Sequence, residues 1–189
     1  PLLVPCPRQY RGHRGLGIDP ARDIAQRATA AGVETLATFF TTALARELRR
    51  TRGGASIITA NNVFANIDQV SDLVAGVREL LAPDGVFVFE TSYLLDVLEH
   101  TLLETCFHEH LSYFSVKPLD AFFRRQGMPL IAADRVPTKG GSLRGMVQLA
   151  GGRRTVSPAV AQLMGLESRA GIDGAESFRR FAAQIDRVK

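Results

Sequence analysis

The densest group of reactive side chains in the sequence lies at 105–115, which reads Thr-Cys-Phe-His-Glu-His-Leu-Ser-Tyr-Phe-Ser. It mixes two histidines, a glutamate, a tyrosine and two serines with apolar residues, shortly after the apolar run at 86–89. A hydrophobic core does not accept so many polar and titratable groups unless they have partners or a role. The stretch is therefore predicted to carry chemistry.

Three kinds of chemistry are open to this stretch. If it were extended, Cys106, His108 and His110 would point to one side as three zinc ligands, although no fourth ligand of suitable spacing occurs elsewhere. Its histidines and Glu109 could instead satisfy buried backbone groups. A neutral imidazole oriented by a nearby carboxylate could also act as a general base, which is the interpretation we favour.

Further candidates follow short apolar runs that are typical of strands. Asp19 follows one such run and could accept hydrogen bonds from the ribose hydroxyls of a nucleotide-like cofactor, or it could simply cap the helix that follows. Phe39 follows a second run, where it could stack on an adenine ring or belong to the core. Asn61 and Asn62 follow a third. These positions are predicted to meet at one edge of a sheet.

The elements that would position these residues alternate along the chain. Strands are predicted at 16–18, 33–36, 55–60, 86–90, 130–136 and 142–149, and helices at 21–31, 42–50, 68–81, 117–126, 159–164 and 175–188. Repeated βα units predict an α/β fold with a doubly wound, mostly parallel sheet, to which the last two strands add an antiparallel pair. Ligands bind such sheets at the carboxyl ends of the strands.

Composition narrows the functional classes. The chain has 189 residues, of which 46% are hydrophobic and 22% charged. No apolar run reaches the roughly 18 residues that a membrane helix needs. Two cysteines without framework spacing favour a cytoplasmic setting. The net charge of +4 comes from scattered arginines that are not interleaved with aromatic residues, so no nucleic-acid partner is expected.

Three sequence blocks together resemble one family, and they read Asn-Asn-Val-Phe-Ala-Asn at 61–66, His-Glu-His-Leu-Ser-Tyr-Phe-Ser at 108–115 and Thr-Lys-Gly-Gly-Ser-Leu-Arg at 138–144. The chain resembles the S-adenosylmethionine-dependent sugar C-methyltransferases of deoxysugar biosynthesis from about residue 12 to its end. The resemblance implies a Rossmann-like fold and S-adenosylmethionine as cofactor. It also implies methylation at C3 of a dTDP-linked 4-keto-6-deoxy sugar.

The same resemblance implies roles for individual residues. His110 matches the base that removes the proton beside the sugar ketone, Glu109 matches its partner carboxylate, and Asp19 matches the acid that binds the cofactor ribose. No metal is expected in the site. Phe39, Asn61 and Asn62 are expected to complete the cofactor pocket, and Asn66, Tyr113, Lys139 and Arg144 to bind the substrate.

The chain also departs from the family. Phe107 stands where the family usually has tyrosine, and Asn66 where it usually has histidine. Residues 1–11 do not supply the expected glycine-rich loop, and no cysteine pairs of the family's zinc domain are present.

We therefore expect a fragment, incomplete at its N-terminus. Residues 12–150 would form a methyltransferase core that lacks the first strand, and 151–189 the helical start of a C-terminal region. The alternatives are an inactive truncated remnant, or a methyltransferase of the same fold with another small-molecule substrate. An NAD-dependent dehydrogenase is disfavoured because no Gly-x-Gly-x-x-Gly motif precedes Asp19.

Overall fold

The computed structural model describes residues 15–103 and 110–188. Within these ranges the strands are β1 (Gly17–Ile18), β2 (Thr35–Leu36), β3 (Ala55–Asn61), β4 (Leu81–Ser92), β5 (Leu130–Val136) and β6 (Ser142–Gln148). The α-helices are α1 (Arg22–Ala30), α2 (Thr42–Arg52), α3 (Val70–Leu80), α4 (Leu94–Glu99), α5 (Val116–Arg125), α6 (Pro158–Ala170) and α7 (Ala175–Val188). Short 3₁₀ turns cover Phe64–Asn66 and Thr138–Gly140.

The strands form a mixed sheet in the order β3-β4-β6-β5, and β1 pairs with β2 in a separate two-stranded sheet. β1 runs parallel to β2, and β3 runs parallel to β4. β6 runs antiparallel to both β4 and β5. The predicted α/β architecture and the antiparallel pair near the C-terminus are confirmed.

The core lies around β4, where aromatic rings from distant parts of the chain meet. Phe87 and Phe89 on β4 are fully buried, as are Phe64 after β3 and Phe123 on α5. The ring of Phe89 lies 5.1 Å from that of Phe64 and 5.5 Å from that of Phe123, measured between centroids. Aromatic pairs at such distances add to the hydrophobic stabilisation of burial. This cluster fixes the carboxyl end of β4 relative to the segment before α5.

Helix α2 lies beside both sheets. Its residues Ala45 and Leu48 are buried with Leu80 of α3, and partly buried Ile18 of β1 and Ile58 of β3 pack against this group. β1 and β3 therefore flank the apolar face of one helix although they belong to different sheets. The family resemblance implies that the missing first strand would lie between the strands that end at Asp19 and Asn61, and this remains a prediction.

Three elements differ from the sequence expectation. β4 begins at Leu81, five residues earlier than predicted. The Pro-Asp-Gly stretch at 83–85 does not form a separate turn, because it lies within the strand as an irregularity in its pairing with β3. Helix α6 continues past Gly165, which a helix tolerates at a cost of about 1 kcal/mol, and ends at the left-handed Gly171. The six-residue helix α4 was not predicted.

Within the described ranges, no helix combines the length and apolar character needed to cross a membrane.

Candidate active site

The carboxyl ends of β3 and β4 are joined directly. Asn61 lies in register with Glu90, and the backbone N–H of Asn62 donates to the Glu90 carbonyl at 2.8 Å. Asn62 has a left-handed conformation with φ of 54°, which asparagine adopts more readily than most residues. The two predicted asparagines therefore lie at the strand edge where parallel sheets bind ligands.

The chain after β1 and β2 places two further predicted residues. The Asp19 carboxylate accepts a hydrogen bond through Oδ1 from the backbone N–H of Ala21 at 2.8 Å, in the turn before α1, and it does not cap the helix itself. Phe39 is 73% exposed and is not a core residue, whereas its neighbour Phe40 packs into the core. An exposed aromatic ring beside a strand end is available for stacking on a flat ligand.

The part of the 105–115 stretch that the structure describes begins at His110. The backbone N–H groups of Leu111 and Ser112 both donate to the carbonyl of Ala65, at 2.9 and 3.2 Å. This attaches the segment to the 3₁₀ turn that holds Asn66. The rings of His110 and Tyr113 meet edge to face with centroids 6.1 Å apart.

The candidate residues Cys106, Phe107, His108 and Glu109 lie outside the described ranges. Neither the predicted His110–Glu109 pair nor the alternative zinc geometry is therefore tested, and both stay predictions.

A buried carboxylate holds the far end of this segment. Glu167 of α6 is 2% exposed and accepts hydrogen bonds from the backbone N–H groups of Val116 and Lys117, the first residues of α5. The Tyr93 hydroxyl also donates to it at 2.8 Å. Negative charge is favourable at a helix N-terminus, where N–H groups lack partners. Burial, with the charge and hydrogen bond of Glu167, raises the pKa of Tyr93 far above its ordinary value.

Glu90 is a polar residue of this edge that was absent from the predicted site. Glu90 is only 8% exposed, and its Oε1 accepts a hydrogen bond from the Thr138 hydroxyl at 2.8 Å. Its Oε2 accepts from Arg144, from Nε at 3.2 Å and from Nη2 at 2.9 Å. Burial by itself would raise the pKa of Glu90, but these hydrogen bonds and the charges of Arg144 and Lys139 together lower it below its ordinary value.

The turn between β5 and β6 has an unusual backbone. Lys139, Gly140 and Gly141 all have positive φ, of 53°, 81° and 146°. A Cβ at position 141 would overlap the carboxyl group of Asp96, so only glycine fits there. Asp96 is itself buried and bound by Arg135 through Nε and Nη2, at 2.8 and 2.6 Å.

Asp96 also belongs to the one His/Cys/Asp/Glu group of the described chain that has the spacing of metal ligands, with Glu99 and His100. Arg135 donates to both Asp96 and Glu99, and these contacts raise the pKa of its guanidinium. The guanidinium thus already occupies the position that a cation would take. The group is better described as a structural ion-pair network.

The structure therefore brings several predicted residues together. Asn61 and Asn62 join Glu90, and Glu90 in turn joins Arg144 and the turn that carries Lys139. His110 and Tyr113 lie in the segment bonded to the turn of Asn66. Asp19 and Phe39 lie at the ends of β1 and β2, in the other sheet. The sequence signal for Glu90 is its place at the end of the apolar run 86–90, the same signal that selects Asp19, Asn61 and Asn62.

Comparison with known proteins identifies the family. Residues 1–133 match the family model of a methyltransferase domain, and residues 137–189 match that of a C-methyltransferase C-terminal domain. The chain belongs to the methyltransferase family. S-adenosylmethionine is the methyl donor of this family, as predicted, and the second match is to a domain described for C-methyltransferases.

C-methyltransferase NovU of Streptomyces niveus is 35% identical to this methyltransferase over 178 residues. The alignment covers 94% of the present chain but 42% of NovU. The chain thus spans less than half the length of the curated relative that it matches.

Solved structures support the fold of the methyltransferase. A SAM-dependent methyltransferase from Anabaena variabilis superposes with a TM-score of 0.56 at 14% identity, over 72% of this chain and 68% of that chain. LepI in complex with SAM gives 0.56 at 13% identity, over 75% of this chain and 38% of that chain. At such identities the likeness shows the Rossmann-like fold alone.

The described residues at the strand ends suit a nucleoside. Asp19 supplies a carboxylate, Phe39 an exposed aromatic face, and Asn61 an exposed amide side chain. These are the groups that ribose hydroxyls and a purine ring need. The residues present therefore fit the adenosine part of the cofactor.

Proposed function

We propose that this chain is the core of an S-adenosylmethionine-dependent C-methyltransferase that acts on a nucleotide-linked 4-keto-deoxysugar, with dTDP as the nucleotide. The observation that carries the proposal is the position of His110, in a segment bonded to the turn after β3, within a chain that matches two methyltransferase models. The similarity to NovU supports methylation at carbon. With the cysteine content noted above, we expect the enzyme to work in the cytoplasm.

The chemistry requires a base. His110 would accept the proton from the carbon beside the sugar ketone. The electron pair of that C–H bond would form a C=C bond to the carbonyl carbon while the carbonyl π pair moves onto the oxygen, giving an enolate. General base catalysis of this kind contributes roughly 10²- to 10⁴-fold to the rate. Glu109 would orient the imidazole. Bound S-adenosylmethionine would supply the methyl group that the same carbon then accepts.

The enolate oxygen needs a hydrogen-bond donor. Asn66 can supply one through its side-chain amide, and it lies in the turn to which the His110 segment is attached. Phe107, in the position where the family usually has tyrosine, cannot donate. We therefore assign the oxyanion role to Asn66.

The remaining proposed roles are the binding of the cofactor and of the nucleotide sugar. Asp19 would bind the ribose hydroxyls of the cofactor, and Phe39, Asn61 and Asn62 would line its adenosine pocket. Lys139 and Arg144 would bind the anionic part of the nucleotide sugar, with Tyr113 supporting the sugar beside His110. Arginine and lysine are the side chains best suited to phosphate groups.

Solvent exchange tests this function directly. The chain incubated in D₂O with a dTDP-4-keto-deoxysugar should incorporate deuterium beside the ketone, and S-adenosylmethionine should convert the sugar to a product one methyl group heavier. In His110→Asn, exchange and turnover should both fall by about 10²-fold or more. Cofactor affinity measured by calorimetry should stay unchanged in this variant.

The negative outcomes separate the parts of the proposal. Exchange that persists at the original rate in His110→Asn would assign the proton to another group. Absence of sugar binding and exchange in a parent chain that still binds S-adenosylmethionine would contradict the substrate class, whereas a chain that binds neither ligand would be the inactive remnant. Methylation of a different small molecule by the same chain would favour the alternative substrate.

A further inference from the structure

The Glu90 carboxylate is the meeting point of β4, β6 and the turn between β5 and β6. Its two oxygens have different partners, Thr138 on Oε1 and Arg144 on Oε2. Thr138 begins the turn and Arg144 lies on the strand after it, so one buried carboxylate holds both sides of the turn. Lys139 lies between them, and its charge acts on Glu90.

The contact leaves the arginine available to a ligand. Arg144 uses Nε and Nη2 on Glu90, while half of its side chain remains exposed. Among the described residues, no hydrogen bond involves its Nη1 group. A guanidinium that is fixed at one edge and open at the other is already oriented before a phosphate arrives, so less side-chain freedom is lost on binding.

The turn is also fixed from its other side. Gly141 packs against Asp96 so closely that a Cβ would overlap the carboxyl group, and the backbone N–H of Tyr93 donates to the Gly141 carbonyl at 3.4 Å. Arg135 holds Asp96 in place. Lys139 therefore projects from a backbone with left-handed conformation that its surroundings impose.

We propose that Glu90 is a positioning residue, which orients Arg144 and the turn of Lys139 so that these two cations bind the diphosphate of the nucleotide-linked substrate. The inference rests on the proposed function, and it assigns a role to a residue that does not itself touch the substrate. A buried carboxylate with a purely structural role would affect stability without acting through Arg144.

A double-mutant cycle in the full chain tests the assignment. Glu90→Gln keeps the size of the side chain but loses the ion pair, so the KM of the dTDP-4-keto-deoxysugar should rise about tenfold with kcat changed by less than about threefold. Arg144→Gln should raise the KM at least as much. Adding Glu90→Gln to Arg144→Gln should then have little further effect, because the two residues act as one unit.

Two additional variants accompany the double-mutant cycle, one as a control and one as an independent test. Asp120→Asn is the matched control, because Asp120 is a largely buried carboxylate bound to Arg124 at 2.7 Å on α5, and its KM should equal that of the parent. Thr138→Val removes only the Oε1 contact from an exposed residue, so it should fold normally and raise the KM by about threefold. This variant tests the proposal if Glu90→Gln fails to fold.

The outcomes divide clearly. Either of two results would overturn the positioning role while leaving the proposed function intact. One is a Glu90→Gln enzyme with the parent's KM. The other is a rise in KM on adding Glu90→Gln to Arg144→Gln that is as large as the rise in the parent chain. If Glu90→Gln does not fold, an unchanged KM in Thr138→Val overturns it in the same way. A parent chain that neither binds nor turns over the nucleotide sugar would contradict the proposed function, and the inference would fail with it.

Discussion

Carboxylates at the strand ends of this methyltransferase make structural hydrogen bonds within the chain. Glu90 uses one oxygen for Thr138 and the other for Arg144, while Asp19 uses Oδ1 to accept from the N–H of Ala21. A carboxylate offers about four acceptor sites, so a structural contact at one oxygen leaves capacity for a ligand at the other. Structural and functional roles at a single residue must therefore be separated by substitutions that remove one contact at a time.

Asp19 allows such a separation. Asp19→Asn keeps an oxygen that can accept from Ala21 but removes the charge, whereas Asp19→Ala removes both. The free energy of unfolding should be lower by about 1 kcal/mol in Asp19→Ala and almost unchanged in Asp19→Asn. Calorimetry should show weaker binding of S-adenosylmethionine in both variants. Parent-like affinity in Asp19→Ala would remove this residue from the cofactor site.

The contribution of Glu90 to the stability of the folded chain should depend on pH. Its pKa is lowered in the folded chain from the ordinary 4.5, so folding favours the ionised form. That contribution is present above the unfolded-state pKa of about 4.3 and is lost as the pH falls through the lower folded value. Urea unfolding should show that the cost of Glu90→Gln in stability is smaller near pH 3 than at pH 6. A cost that is constant across this range would show that the charge of Glu90 is not involved.

At the scale of elements, the His110 segment is held at both ends by groups distant in sequence. Ala65 binds its beginning through the N–H groups of Leu111 and Ser112, and Phe114 accepts from the N–H of Leu94 at 2.9 Å. Glu167 then binds the N-terminus of α5, which follows directly. The segment is therefore as rigid as the helices and turns that hold it, which a general base requires.

Glu167 should accordingly matter for both stability and catalysis. Glu167→Ala removes three hydrogen bonds from a buried acceptor and should lower the free energy of unfolding by about 3 kcal/mol. The matched control is Glu176→Ala on α7, an exposed residue paired with Arg179, which should change it by less than about 0.5 kcal/mol. Thermal unfolding measures both. Equal effects would show that Glu167 does not hold α5.

The sequence allowed prediction of those elements whose signals are local. The apolar run around Phe87 and Phe89 predicted the buried strand, and the periodic apolar residues of α3 predicted its helix. Helix α4 was missed because six residues give too short a pattern. The early part of β4 was missed because Pro83 and Gly85 normally indicate a turn.

The candidate site shows the same limit. Asp19, Asn61 and Asn62 were predictable because each follows a recognisable strand. Glu90 also ends a predicted strand, but its role could not be assigned, because its partners Thr138 and Arg144 lie 48 and 54 residues away and meet it only through the register of β4 with β6. Contacts that depend on strand register cannot be derived from local spacing.

At the scale of the whole molecule, β3 is an edge strand of the larger sheet in the described chain. Ile18 of β1 and Ile58 of β3 pack against the same face of α2, but within 15–103 and 110–188 no strand pairs with the side of β3 opposite β4. Ile57 on β3 is 65% exposed. Parallel sheets usually bury both faces, and an exposed strand edge with apolar residues is a template for pairing.

Amide hydrogen exchange tests this open edge residue by residue. The N–H of Asn62 points to β4, since it donates to Glu90, and alternation along a parallel strand places the N–H groups of Ile58 and Ala60 on the same side. Those of Ile57 and Thr59 then point to the open edge. NMR-detected exchange should therefore be slow at Ile58 and Ala60 but fast at Ile57 and Thr59.

A longer version of the protein extends the test. If a strand preceding this chain pairs with β3, as the family resemblance implies, the amides of Ile57 and Thr59 should become as protected as those of Ile58 and Ala60. A longer protein in which these two amides still exchange fast would exclude a strand at this position. Slow exchange at all four amides in the present chain would instead show that the edge is already covered, by another part of the chain or by a second copy. Exchange that depends on protein concentration would identify the second copy.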